Sequence, residues 1–259
     1  MLDRRLSPKT VRHAHGVLRA SLNQAVKWRL LVINPALAVE LPRLRKKEMK
    51  ALSPEQATKF LEHAAADRLS ALFALALTAG MRPGEYLGLQ WSDIDLDKGI
   101  VVVRRTLVPK KDGGWEFAEP KTAQSARSIP LPKSVTRALV EHRKSQAEEK
   151  LKAGSQYENY DLVFTGPKGH AVQLRNLVNR HFKPILRAAG LPQTFRLYDL
   201  RHSCATLLLA QGEHPKVVSE WLGHASVTLT LDTYSHVLPT MQQQAAERLE
   251  TALFGPSAF

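Results

Sequence analysis

Five side chains have types and settings that chemistry could use. Arg82 lies in Thr78-Ala-Gly-Met-Arg82-Pro-Gly-Glu85, between a glycine that stops one helix and a proline that starts the next. Two helix ends can therefore aim its guanidinium. Arg201, in Tyr198-Asp-Leu-Arg201-His202, opens an apolar helix carrying Ala205, Leu208 and Leu209. His224 follows a glycine in Trp221-Leu-Gly-His224, Tyr234 sits in Leu231-Asp-Thr-Tyr234-Ser-His236, and Lys121 falls between two strand-like segments. Each has a plain alternative reading: a surface or ion-paired arginine, a capping or core histidine, a packed tyrosine. Together they form a chemical set. Arginine forks match the non-bridging oxygens of a phosphodiester. A tyrosine can be a covalent nucleophile, and a lysine on a loop can protonate a leaving alkoxide. Phosphoryl transfer asks mainly for positioning and charge stabilisation, so this set could run it without metal.

Other chemistries fit less well. Asp93-Ile-Asp95-Leu-Asp97-Lys-Gly99 resembles a calcium loop, but its glycine is one position late and Arg104 stands where the bidentate glutamate belongs. It reads as a turn before a strand. There is no HExxH, no Walker A and no GxGxxG. A single cysteine, Cys204, excludes an internal disulfide and makes a structural zinc site improbable. The expected cofactor and metal are therefore none.

The elements that must position these groups are mostly helices. Ser7-Pro8 caps a first helix, with Val11, Ala14, Leu18, Leu22 and Ala25 at helical spacing. Ser53-Pro-Glu-Gln56 is a capping box that starts another. Leu69 to Ala79 reads as an apolar helix stopped by Gly80. Gly99–Val103, Trp115–Ala118 and Arg127–Leu131 read as strands, and Leu162–Phe164 as a short extended piece. Helices are expected at about 133–152, 173–189, 199–211, 215–222, 227–236 and 240–253. The chain of 259 residues is 44% apolar, enough for a real core. No run approaches the ~20 apolar residues of a membrane span, and the start does not read as a secretory signal. The net charge is +13, and residues 1–50 carry twelve Lys/Arg against three acids. That concentration favours a polyanionic partner, nucleic acid above all. The division expected is a helical piece over 1–45, a basic linker over 46–52 and a larger domain over 53–259. A piece of about 45 residues is small to fold alone, so a portion upstream of Met1 is expected to complete it.

In order and spacing, the motifs around Arg82, Arg201, His224 and Tyr234, with Lys121 in Glu119-Pro-Lys121-Thr, resemble the signature boxes of the tyrosine recombinases, the phage integrase family. The resemblance covers essentially the whole chain, residues 1–45 matching only the end of that family's core-binding domain. It implies a mainly α fold with a small antiparallel β-sheet (α+β). It implies site-specific strand exchange on double-stranded DNA, for integration or excision of a phage or mobile element. It assigns Tyr234 as nucleophile forming a 3′-phosphotyrosyl bond, and Arg82 and Arg201 as clamps on the phosphate. Lys121 becomes the acid on the 5′ oxygen, His224 a donor to the phosphate, and Glu85 a support for Arg82. The resemblance further implies a homo-oligomer, a tetramer on DNA, no membrane, and a cytoplasmic, bacterial or phage-encoded protein. Arg43, Arg45, Lys46, Lys47 and Lys50 are the expected phosphate contacts outside the active site. One position departs from the pattern: Tyr198 stands where the family has histidine. A phenol is a poor base at neutral pH, so the acceptor of the Tyr234 proton stays open. In a helix, neighbouring residues point about 100° apart, so His202 is expected to be structural, as is His236. A C-terminal helix with Ala245, Leu249 and Leu253 could pack on its own domain or on a neighbour's. The rival readings are a type IB topoisomerase-like nicking-closing enzyme and a non-catalytic DNA-binding protein of the same fold.

Overall fold

The computed structural model describes residues 6–44, 49–111, 114–119, 126–234, 246–247, 249–253 and 255. The chain divides into two compact units, Met1–Glu48 and Met49–Phe259.

In the first unit, helix α1 (Pro8–Lys27) starts as expected, with Ser7 accepting from the Thr10 N–H and Pro8 in the first turn. Asn34 then organises the return of the chain. Its side-chain amide donates to the Arg19 carbonyl and to Asn23 Oδ1, at 3.0 and 2.6 Å. Its Oδ1 caps the 3-10 turn Pro35–Ala38 through the Ala36 N–H. The helical spacing predicts a covered apolar stripe on α1, but none of its residues is buried. Apart from the small Ala36, the described part of this unit holds its shape by hydrogen bonds rather than by a core.

The second unit is built around α3 (Ser70–Ala79), which is buried on almost every side. Such a helix has no polar face, so it must be enclosed. It packs against α2 (Pro54–Ala64), α5 (Lys133–Ala153) and α8 (Asp199–Ala210). Phe60, Phe73 and Phe182 meet there, with ring centroids 5.7 to 6.2 Å apart. Gly80, in the left-handed region at φ 59°, ends α3. A Cβ there would press on Leu222 and Cys204, so glycine meets both the dihedral and the close approach. Arg82 then caps the short α4 (Pro83–Leu87).

The strands divide differently from the sequence expectation. β1 (Ile94–Asp95), β2 (Ile100–Val103) and β5 (Arg127–Pro130) form one antiparallel sheet, with Val101 opposite Ile129. β4 (Trp115–Ala118) pairs with β3 (Thr106–Pro109), a strand the sequence reading omits, in a separate hairpin. Thr106-Leu-Val-Pro109 has only half-buried or exposed positions and no alternating pattern to announce it. Leu162–Phe164 contributes bridging bonds to Gln90 and Leu89. The supposed calcium loop is a turn: Asp95 accepts from the Lys98 N–H, and Asp93 is taken by Gln90 and Arg105.

The expected helix over 173–189 is interrupted. α6 (Leu174–Asn176) runs into a π-helical stretch, Leu177–Phe182, and then α7 (Lys183–Ala188). Pro184 has no N–H to give the preceding turn, and a widened turn accommodates it. α9 (Pro215–Leu222) and α10 (Val227–Tyr234) complete the fold. Of the C-terminal helix expected over 240–253, residues 246–247 and 249–253 are helical, with Leu249 and Leu253 exposed; 240–245 lie outside the described residues. No helix among the described residues is long and apolar enough to cross a membrane.

Phe60→Ala should destabilise the second unit by about 3–5 kcal/mol, because the aromatic cluster around it has little room to collapse. Urea denaturation of the variant and the parent chain measures this directly.

Candidate active site

The site forms where helix α9 ends. Gly223 terminates it with φ 66°, leaving its last carbonyls without helical partners. Three arginines from three other elements take them. Arg127 on β5 donates Nε to the Trp221 carbonyl at 2.7 Å. Arg201 on α8 donates Nη2 to the Leu222 carbonyl at 2.7 Å, and its Nη1 reaches the Gly80 carbonyl at the end of α3, also at 2.7 Å. Arg82 makes a longer contact, 3.5 Å, from Nη2 to the Gly223 carbonyl. The negative ends of two helix dipoles thus face a cluster of cations.

Glu85 ties two of these arginines together. Its carboxylate accepts from Arg82 Nη1 at 2.7 Å, from the Arg82 backbone N–H at 2.8 Å, and from Arg127 Nη2 at 2.9 Å. Burial pushes the Glu85 pKa up, but Arg127 and then Arg82 outweigh it, and the carboxyl lies below its ordinary value. Among the described residues, three guanidiniums against one carboxylate leave an excess of positive charge. Burial, and then Arg82, pull Arg201 down to about 10. It remains charged at neutral pH. Arg201 is 2% exposed, whereas the Arg82 side chain is 35% exposed and is the more open to an incoming anion.

His224 follows Gly223 directly. Its backbone N–H donates to the Ser219 carbonyl, and its Nδ1 lies 2.8 Å from the buried Thr230 hydroxyl. Burial first, then Arg201, Arg82 and Arg127, lower its pKa to about 4. The imidazole is therefore neutral at pH 7. In the tautomer whose Nδ1 accepts from Thr230, Nε2 carries the proton and can donate it to a bound oxygen. Tyr234, at the end of α10, packs in a small cluster with Ala205, Leu209, Val218 and Leu222. Its hydroxyl lies 2.8 Å from His202 Nδ1. Burial raises the phenol's pKa, against the pull of Arg201.

Arg82, Arg201, His224 and Tyr234 are thus all gathered on the end of α9. Lys121 falls between β4 and β5 in sequence and lies outside the described residues, as do Arg45, Lys46, Lys47 and His236. Arg43 is exposed, and Lys50 donates to the Thr194 hydroxyl at 2.7 Å. Tyr198 is 39% exposed, its ring edge-on to His202 with centroids 5.3 Å apart. His202, expected to be structural, lies against the Tyr234 hydroxyl. α8 is buried around several faces, so a residue about 100° from Arg201 still lands inside the site. Arg127 was missed, although its signal is legible: it shares a strand face with Ile129, two residues on, which is fully buried.

The description of the phage integrase family matches residues 42–241. The chain belongs to that family. Among its curated integrase relatives, a tyrosine recombinase XerC-like protein of Caldanaerobacter subterraneus subsp. tengcongensis is 37% identical, over 94% of this chain and 66% of that protein. The ICEBs1 integrase of Bacillus subtilis is 30% identical, over 98% of this chain and 68% of that protein. The chain therefore spans about two thirds of the length of these relatives. The Tn1549 transposon integrase, solved in complex with transposon right end DNA, shares the fold with a TM-score of 0.80 at 22% identity. That likeness covers 96% of this chain and 82% of the other.

His202 and His224, both lowered to about 4, bind fewer protons when folded than an unfolded histidine of pKa 6.5. Their contribution to stability is present above pH 6.5 and is lost as pH falls towards 4. Urea midpoints should fall across that window, and replacing Thr230 by Val should shift the fall. A midpoint independent of pH there would contradict the burial of the two neutral imidazoles.

Proposed function

We propose that this integrase cuts and rejoins duplex DNA through a covalent 3′-phosphotyrosyl bond at Tyr234. The observation that carries the reading is the convergence of Arg82, Arg201, His224 and Tyr234 on one helix end, under excess positive charge. A phosphodiester placed there meets forked donors for its non-bridging oxygens. As Tyr234 attacks, charge builds on those oxygens, and the guanidiniums already face it without reorganising. Arg82 and Arg201 hold the phosphate, and neutral His224 adds a hydrogen bond. Lys121 protonates the leaving 5′ oxygen. Arg127 and Glu85 act by holding Arg82 and the end of α9 in place.

The phosphotyrosyl bond keeps the energy of the phosphodiester, so rejoining needs no nucleotide cofactor, and the residues assigned here need no metal. Rejoining to a different duplex gives strand exchange, here the integration and excision of a phage or other mobile element. Two duplexes present four strands, and one tyrosine per chain then requires four copies on the DNA. The solved DNA complex of the Tn1549 transposon integrase supports double-stranded DNA as the partner. Basic residues such as Arg43 and Lys50 add phosphate contacts that give affinity with little sequence information.

Tyr234→Phe should keep its affinity for duplex DNA and form no covalent adduct on a nicked suicide substrate. A protease-sensitive adduct from that variant would remove Tyr234 from the nucleophile's role. Cleavage should also persist in excess EDTA. Lys121→Ala should be rescued by a 5′-phosphorothiolate at the scissile bond, because a thiolate leaves without a proton. Arg82→Ala should not, because its deficit is in charge stabilisation. Equal rescue of the two would contradict the acid role of Lys121.

A further inference from the structure

Attack by Tyr234 requires its proton to leave, and the residue at the family's usual histidine position, Tyr198, offers only a neutral phenol. A different imidazole reaches the Tyr234 hydroxyl. His202 Nδ1 lies 2.8 Å from Tyr234 Oη, with ring centroids 5.9 Å apart. Both residues are buried, at 6% and 1% exposure. The ring of Tyr198 packs edge-on against the imidazole, with centroids 5.3 Å apart. Among the described residues, the charged and titratable groups around it include Asp199 and Arg201 on its own helix, Arg196 just before that helix, and His224 and Tyr234 across the site. Burial lowers the ring's pKa most; Asp199 raises it, and Arg201 and then Arg196 lower it, leaving it at about 4 and the ring neutral. In the tautomer with its proton on Nε2, the neutral ring offers the Nδ1 lone pair directly to the phenolic O–H.

We propose that His202 is the proton acceptor for Tyr234. The proposal rests on the reading of Tyr234 as nucleophile. In cleavage, the phenolic O–H bond breaks and its proton passes to His202 Nδ1 while the Oη–P bond forms. The P–O5′ bond breaks, and the 5′ oxygen takes a proton from the acid assigned to Lys121. In rejoining, the 5′ hydroxyl returns that proton as it attacks phosphorus, and the imidazolium returns its own to Oη as the P–Oη bond breaks. No oxidant or cofactor enters the balance. The phosphodiester supplies the driving force: its negative charge offsets Arg201 and raises the imidazole's affinity for a proton when substrate is bound. Without DNA, the same ring leaves the tyrosine protonated. Tyr198 then buttresses the ring, while the proton transfer belongs to the histidine four residues on.

The test is single-turnover adduct formation on a nicked suicide duplex across a pH series, for the parent chain, His202→Ala, His202→Asn and Tyr234→Phe. His202→Ala should be slower by about 10²- to 10⁴-fold near neutral pH. Its rate should then climb about tenfold per pH unit, as hydroxide takes the proton, and close on the parent at high pH. His202→Asn keeps an acceptor near the Nδ1 position but cannot carry a proton, and should be as slow as His202→Ala. A parental rate in His202→Asn would overturn the proposal. So would a deficit in His202→Ala that stays constant with pH, since that is the mark of a group that only positions the phenol. If the alanine variant does not fold, the asparagine variant decides alone. An adduct formed by Tyr234→Phe would instead defeat the nucleophile assignment, so the two failures are distinguishable.

Discussion

Everything in the candidate active site leans on the unpaired carbonyls at the end of α9. Like charges do not gather in a protein interior without cause, and taking guanidiniums out of water is costly. Here Arg127, Arg201 and Arg82 donate to the carbonyls of Trp221, Leu222 and Gly223, three consecutive residues. Glu85 neutralises part of the charge. What remains is a positive excess held in place before any anion arrives. In an apolar setting such an arrangement is worth far more to a developing negative charge than the same groups in water.

The fold follows from holding that helix end. α3 lies in the centre of the core and delivers the Gly80 carbonyl to Arg201. α8 carries Arg201 and His202 on buried faces, and β5 brings Arg127 from the sheet. α10 returns the chain so that Tyr234 packs on Val218 and Leu222 of α9. Side chains from β5, α8, α10 and the start of α4 therefore converge on four residues, Trp221 to His224. A shift of α9 would move the arginines, His224 and the tyrosine together.

Much of this was legible in the sequence. Glycine stops, proline starts and serine caps announce helix boundaries locally, so α1, α2, α3 and α9 stand where expected. Arg82, Arg201 and His224 were marked by their settings at those boundaries, and Tyr234 by the motif around it. The rest depended on tertiary contacts. β3 has no burial alternation, so only its pairing with β4 defines it. The helix over 174–188 keeps its apolar period through the π stretch, and only Pro184 hints at the irregularity. His202 was set aside because a residue beside a buried one usually faces elsewhere, a rule that fails on a helix enclosed as fully as α8. Glu85 was read as a support for Arg82, but its second partner, Arg127, is forty-two residues away in sequence.

The central claim is that Glu85 holds a cation cluster already assembled for an anion. Urea denaturation of Glu85→Gln against the parent chain, at constant ionic strength with chloride or with sulfate as the anion, tests it directly. The account predicts a loss of about 3–5 kcal/mol in chloride, the cost of leaving buried charge without its partner. It also predicts that sulfate, by occupying the cluster, restores more stability to the variant than it adds to the parent. A variant as stable as the parent in chloride, and no more responsive to sulfate, would contradict it.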